Sequence, residues 1–352
     1  MKIVLKTTTP TANPGEKGLG FGVFTDHMFT MDYEKGKGWH SPRITAVEPL
    51  MMHPGSAVLH YAQAVFEGMK AFKSKDDRVL LFRPEQNMQR MNRSCVRMNI
   101  PTFDEDLALE GIKKLVALEH RWIPREPGTS LYVRPFIIAT DPFLGPSASS
   151  TYKFMVILAP VGAYLAGLNP VDIYVEPHYV RAIRGGTGNI KAAGNYAPQY
   201  VVQESASELG YAQVLWLDGV ERKYVEEVGA MNVFFNIDGT LVTPDLGDTI
   251  LPGVTRDSVI QLLKAWHIPV EERRLEIAEL FEVYEQGKLI EAFGCGTAAA
   301  ISPIGGLAWK DSKIKIAKGQ VGEISKRLYE TLTGMQTGEL PDEYDWIVEA
   351  KS

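Results

Sequence analysis

The sequence predicts a two-domain protein of mixed α/β class, and three observations carry that reading. At 352 residues the chain is longer than one small core requires, and two domains are the natural division. Its first half alternates strand and helix signals. A buried apolar strand, "KFMVILAP", then runs into "VGAYLAGLNP", whose glycines and proline mark a linker. The division falls near residue 165: a smaller N-terminal domain over 1–164, a linker over 165–172, and a larger C-terminal domain over 173–352.

The elements follow in order. "VLLFRP" reads as a strand, and "EQNMQRMNRSCVRM", Glu85 to Met98, as a helix. In "DLALEGIKKLVALEHRW" the residues Leu107, Ile112, Leu115, Val116 and Leu118 fall near one face, which predicts an amphipathic helix. "SLYVRPFIIAT" is rich in β-branched and aromatic residues and reads as a strand, leading into the loop "DPFLGPSASS". In the second half "VDIYVEP" reads as a strand. "NVFFNIDGTLVTP" sets Asp238-Gly239 between two apolar runs, a hairpin signal. "LPGVTRDSVIQLLKAW" is a Pro-Gly turn followed by a helix with Val259, Ile260, Leu262, Leu263 and Trp266 on its apolar side.

Composition narrows the function classes. The chain is 45% hydrophobic and 23% charged with a net charge of −6, which gives no support for nucleic-acid or anionic-membrane binding. Its two cysteines, Cys95 and Cys295, form no CxxC pair, which excludes a disulfide framework and fits a reducing compartment. The seven histidines show no ligand spacing, so no metal is assigned. The longest apolar stretch, from Phe154, is broken by Pro160, Gly162 and Gly167 and is too short to span a bilayer. With no targeting segment evident, a cytoplasmic protein is expected.

One lysine stands out. In "RGGTGNIKAAGNY" Lys191 has no neighbouring acid and sits among glycines and alanines. That predicts a lysine drawn into a crowded, partly dry place, where burial disfavours the charged form and leaves a usable base or nucleophile. The segment is not a P-loop, because Ile190 precedes the lysine and Ala192 follows it. "GCGTAA" matches a loose dinucleotide fingerprint, but Pro303, Gly305 and Gly306 stop the long helix that fingerprint needs. "GPSASS" lacks the glycine of a nucleophile elbow.

Several anion-binding features survive. The turn before Val254 and Thr255 places two amides and a hydroxyl where a helix begins, and helix starts bind anions. Taken alone, Thr255 is expected merely to cap its own helix. Thr297 in "GCGTAA" adds a second turn with a hydroxyl, or an ordinary tight turn at a strand end. Arg90 lies between Met88 and Met91 and has the shape for bidentate phosphate recognition, although an isolated helix arginine is expected at the surface. Glu226 and Glu227 precede a strongly apolar strand. Either is expected in solvent when taken alone, yet a buried one would need a partner such as a protonated ring nitrogen. Lysine, phosphate cup and ring-nitrogen partner together are the requirements of pyridoxal phosphate.

The segments "HYAQAVFEGMKAF", "FRPEQNMQRM", "LYVRPFI", "PVGAYL", "GNIKAAGNYAP", "QVLWLDG", "EEVGAMNVFF", "LPGVTRDSV" and "FGCGTAAAISPI" occur in the order found in the branched-chain amino-acid aminotransferases, and the chain resembles that family over nearly its whole length. The resemblance implies the two-domain α/β fold of the fold-type-IV pyridoxal-phosphate enzymes, with a β pseudo-barrel in the larger domain. It implies that Lys191, in that larger domain, holds the cofactor covalently and then moves the substrate proton. Tyr196 would hydrogen-bond the cofactor's phenolic oxygen, and Glu227 would pair with the pyridine nitrogen. Arg90, Val254, Thr255 and Thr297 would bind the phosphate, and Arg181 would orient Glu227. Tyr61, Phe66 and Tyr164 would form the side-chain pocket, with the substrate α-carboxylate at the amides of Thr297 and Ala298. Tyr132 and Arg134 would take the second carboxylate of glutamate, so that one apolar box with a cation at its edge accepts both partners.

The implied reaction exchanges amino groups between leucine, isoleucine or valine and 2-oxoglutarate by a ping-pong route, in a homodimer whose active site forms partly across the dimer interface. Ala230 stands where mammalian members carry threonine, and their CxxC is absent, so no thiol switch of that kind is expected. Rival readings are a D-amino-acid aminotransferase or aminodeoxychorismate lyase on the same fold, a nucleotide- or phosphate-dependent enzyme using Lys191, and a non-catalytic binding module. "EVGAMNVFF" with "LYVRP" favours the branched-chain enzymes.

Overall fold

The computed structural model describes residues 1–163 and 168–351. Through the first half run β1 (Val4–Leu5), β2 (His27–Glu34), β3 (Gly38–Ala46), α1 (Ala57–Tyr61), β4 (Ala64–Phe66), β5 (Met69–Lys73), β6 (Val79–Phe82), α2 (Pro84–Arg97), α3 (Glu105–Leu118), β7 (Ser130–Ala139) and β8 (Thr151–Val161). The second half carries β9 (Val171–Val175), α4 (Tyr200–Glu208), β10 (Gln213–Leu217), β11 (Val225–Val228), β12 (Asn232–Ile237), β13 (Thr240–Thr243), α5 (Val254–Ala265), β14 (Val270–Glu272), α6 (Ile277–Glu285), β15 (Leu289–Gly296), β16 (Ala300–Trp309), β17 (Ser312–Lys315), α7 (Glu323–Gln336) and β18 (Ile347–Glu349).

These elements form two compact units. The first comprises Met1–Gly162, Lys191–Gly194 and residues 334–351; the second comprises Ala163, residues 168–190 and Asn195–Thr333. Local pairing accompanies the grouping of the lysine segment and the C-terminal tail with the first unit. Phe66 donates its N–H to the Lys191 carbonyl at 3.1 Å, Val65 is bridged to Ala192, and β18 pairs antiparallel with β6.

The first unit is a largely antiparallel sheet in the order β1-β3-β2-β8-β7-β5-β6-β18, with β4 on β7. Period-two alternation gives β7 its two faces. Leu131, Val133 and Ile137 enter the core with Phe29, Met31 and Phe154. Tyr132, Arg134 and Phe136 share the opposite face, where register sets Lys70 across from Tyr132 and Phe66 across from Phe136. The helices start where chain chemistry allows. Pro84 opens α2, where its missing N–H costs nothing, and the Asp104 carboxylate accepts the Leu107 N–H at 3.0 Å to cap α3.

The second unit is a sheet in the order β11-β10-β9-β16-β15-β12-β13-β14, with β17 on β16. It curls into a half-barrel, because Val228 at the end of the edge strand β11 bridges back to Met231, just before the interior strand β12. The expected hairpin is present: Asp238 and Gly239, both at positive φ (52° and 89°), join β12 to β13. Glu291 on β15 accepts N–H bonds from Ile324 and Ser325, at 3.2 and 2.9 Å, and so answers the positive N-terminus of α7 with a buried carboxylate.

Candidate active site

In the first unit the expected residues gather around Lys191. Its main chain is pinned on both sides, because the carbonyl accepts from Phe66 and the N–H donates to Ser94 Oγ at 3.0 Å. The half-buried side chain carries its Nζ 4.7 Å from the centre of the Phe66 ring, a cation–π distance. Arg134 stacks on the same ring at 4.7 Å and donates to the Tyr132 hydroxyl at 2.9 Å, while its Nε is buried without a hydrogen-bond partner. Gly68 makes room for this cluster, since a Cβ there would collide with the Tyr132 hydroxyl. Tyr61 ends α1 and is largely exposed, with its hydroxyl donating to the Leu144 carbonyl. Tyr164 lies outside the described residues.

Arg90, expected at the surface from its helix alone, is only 5% exposed. It is buried because Glu67, fully buried at 0%, faces it: Arg90 Nε and Nη2 donate to the two carboxylate oxygens at 2.7 and 2.9 Å. Asn87 Nδ2 adds a third bond at 2.8 Å. Burial opposes ionisation of Glu67, but Arg90, Lys191 and Asn87 outweigh it and hold the carboxyl below its ordinary value. Lys191 is therefore isolated from acids in sequence but not in space. Sequence reasoning missed Glu67. Two signals pointed to it: a lone acid inside the apolar "AVFEGM", and the polar stripe Asn87, Arg90, Ser94 at helical spacing on α2. It also missed Lys70, opposite Tyr132, whose ammonium burial pushes down to about 8.

The second unit holds the remaining candidates. Glu226 and Glu227, each expected in solvent when taken alone, are 5% and 2% exposed, because β11 is buried along its whole length. Glu227 forms an ion pair with Arg181 Nε at 2.8 Å and accepts from the Leu251 N–H at 2.9 Å and from Asn232 Nδ2 at 3.3 Å. Arg181 is itself held by the carbonyls of Thr249, at 2.8 Å, and Gly188, at 3.3 Å. Glu226 lacks this complement: burial pushes its carboxyl up despite Thr249 and Arg181 nearby, and its Oε2 is buried without a hydrogen-bond partner.

Thr255 is not the cap of its own helix. The N-cap of α5 is Gly253, with no side-chain cap, and Val254 and Thr255 form the first turn. Gly253 is required there because a Cβ would strike Asn232 Oδ1. Thr297 and Ala298 occupy the tight turn between β15 and β16, half-buried. Tyr196 is half-buried at the start of a short 3-10 turn, and Ala230 is exposed between β11 and β12. Cys95 and Cys295 are buried, which pushes both thiols up to about 12 and leaves them unreactive. Among the described residues no group of three or more His, Cys, Asp or Glu could hold a metal, and no helix is long and apolar enough to cross a membrane.

A half-barrel unit with a buried Glu–Arg pair, and a unit that pins a lysine over an aromatic ring, accompany a match to one protein family. The model of that family, amino-transferase class IV, matches residues 64–306, and the chain belongs to it. It is 56% identical over 345 residues to branched-chain-amino-acid aminotransferase 2 of Bacillus subtilis (strain 168), covering 97% of this chain and 95% of the relative. Among solved structures it is similar to the Escherichia coli branched-chain amino acid aminotransferase, with TM-score 0.76, 28% identity, and 91% and 99% of the two chains covered. It is also similar to the T.th. branched-chain amino acid aminotransferase complexed with N-(5'-phosphopyridoxyl)-L-glutamate, with TM-score 0.74, 25% identity, and 91% and 98% covered.

Proposed function

We propose that the chain transfers the amino group between a branched-chain L-amino acid (leucine, isoleucine or valine) and 2-oxoglutarate, with pyridoxal 5'-phosphate held on Lys191. The observation that carries this reading is the seat of Lys191, whose backbone is fixed by Phe66 and Ser94 while its amine lies over an aromatic ring. The relatives named above act on branched-chain amino acids by their names, and one was solved with a phosphopyridoxyl-glutamate adduct.

The donor set fits the cofactor's chemistry. The uncapped first turn of α5 with the Thr255 hydroxyl, the Thr297 turn and Arg90 supply donors for a phosphate. Glu227, oriented by Arg181, Asn232 and the Leu251 amide, keeps a ring nitrogen protonated. Tyr196 holds the phenolic oxygen. Bound there, pyridoxal phosphate supplies the electron sink for breaking the substrate's Cα–H bond. Lys191 would carry that proton as the general base and acid.

Phe66 and Tyr61 form the apolar wall for a branched side chain, and the amides of Thr297 and Ala298 take the α-carboxylate. Arg134, with a buried Nε in want of an acceptor and its guanidinium on Tyr132 and Phe66, takes the second carboxylate of glutamate. The enzyme works as a homodimer. Exposed Leu50, Met51, Leu59, Phe143 and Leu144 of the first unit are the apolar surface such an assembly would cover.

A visible absorption spectrum tests the reading. The purified protein loaded with pyridoxal phosphate should show a protein-bound band that L-leucine shifts and 2-oxoglutarate restores. A protein that gains no band on incubation with pyridoxal phosphate overturns it.

A further inference from the structure

We propose that Glu67 is a positioning residue: it fixes the Arg90 guanidinium in the plane from which Arg90 grips the cofactor's phosphate. The inference rests on the reading that this chain binds pyridoxal phosphate with Arg90 on the phosphate. Three observations carry it. Glu67 is fully buried, and the cation that answers it most directly is Arg90, through Nε and Nη2 together. That two-point contact sets both the position and the rotation of a planar group, which a single bond cannot do. The carboxylate is held in turn by Asn87 Nδ2 at 2.8 Å and the Gly68 N–H at 3.2 Å, so it cannot swing with the arginine.

The fold alone gives no reason to keep this pair. A buried ion pair can be replaced by well-packed apolar side chains without loss of stability, and the surroundings on α2 are already apolar, with Met88 and Met91 buried beside Arg90. The polar stripe also does more than neutralise a charge. Asn87 meets Glu67, Arg90 meets Glu67, and Ser94, one turn further on, accepts the Lys191 N–H while donating to the Arg90 carbonyl at 3.0 Å. One helix face thus sets the arginine's plane and the lysine's backbone together, and Glu67 is the fixed point for the arginine.

A positioning role acting through phosphate differs from a purely structural one in ligand discrimination. Apoprotein titrated with pyridoxal phosphate and with pyridoxal, which lacks the phosphate, reads it directly. Glu67→Gln keeps the shape and removes the charge. It should weaken pyridoxal phosphate by about 10- to 100-fold, the scale seen when residues orienting a metal ligand are removed, and leave pyridoxal little changed. In an Arg90→Gln background the same substitution should add almost nothing. If Glu67→Gln does not fold, Glu67→Asp, which shortens the reach but keeps the charge, should show the same selective loss in smaller degree. Equal weakening of both ligands, or an undiminished effect without Arg90, overturns the role of Glu67. Wild-type protein that takes up neither ligand overturns the cofactor reading itself, and with it this inference.

Discussion

Each unit of the molecule buries one carboxylate against one guanidinium, and the two pairs are built with their charges exchanged. In the first, Arg90 is the proposed ligand-facing member, and Glu67 is anchored behind it by Asn87 and the Gly68 amide. In the second, Glu227 is the proposed ligand-facing member, and Arg181 is anchored behind it by the carbonyls of Thr249 and Gly188. A buried charge is tolerable only when paired and hydrogen-bonded. Glu227 is held by the protein as well, through the Leu251 N–H and Asn232 Nδ2, so holder and presenter are separated by the proposed ligand and not by their hydrogen bonds. The sign of the presented charge then follows the ligand atom: a cation for a phosphate, a carboxylate for a protonated ring nitrogen.

The largest effect tests what both pairs serve. Lys191→Ala should abolish transamination while leaving the fold largely intact, because the bonds to Phe66 and Ser94 use only the lysine's main chain. Steady-state turnover together with circular dichroism checks this, and full turnover in a folded variant would falsify the mechanism.

The next test separates presenter from holder. Glu227→Gln retains an acceptor for the Leu251 amide but removes the charge opposite Arg181. It should lower kcat by about 100-fold or more even at saturating cofactor, the scale of losing one preorganised charge at a reacting group. Glu67→Gln, measured in the same way with saturating pyridoxal phosphate, should lose far less kcat. Equal losses would break the comparison, because Glu67 would then act on the chemistry and not behind Arg90.

Much of this arrangement was legible before any coordinates. The apolar faces of α3 and α5, the strand character of β7 and the Asp238-Gly239 hairpin follow from local periodicity and turn chemistry, and they appear where expected. The class of the protein also followed from ordered motifs around Lys191, Glu227 and Thr255. What stayed hidden is what only long-range pairing creates. Arg90 and Glu67 are 23 residues apart, and neither sequence neighbourhood announces the other. Residue type alone puts Arg90, Glu226 and Glu227 in solvent, and tertiary pairing overrode it. The grouping of Lys191 with the first unit rests on its main-chain bonds to Phe66 and Ser94 and the Val65–Ala192 bridge, which no sequence window contains.

The smallest effect comes from Lys70, a cation whose charged form burial disfavours. Glu67 is held ionised by the cations around it, and burial moves Lys70 down to about 8 from an ordinary 10.5. Between those two values the unfolded chain holds more protons at this lysine than the folded protein does. Stability should therefore rise with pH across that window and stay penalised, by a constant amount, below it. The ceiling is about 1.4 kcal/mol per pH unit for one proton, reduced where the side chain reaches solvent. Lys70→Met should remove the penalty, so its gain over wild type in urea midpoint is greatest near neutral pH and shrinks toward about pH 10. A gain that does not change with pH would mean that Lys70 is solvated well enough to titrate as in the unfolded chain.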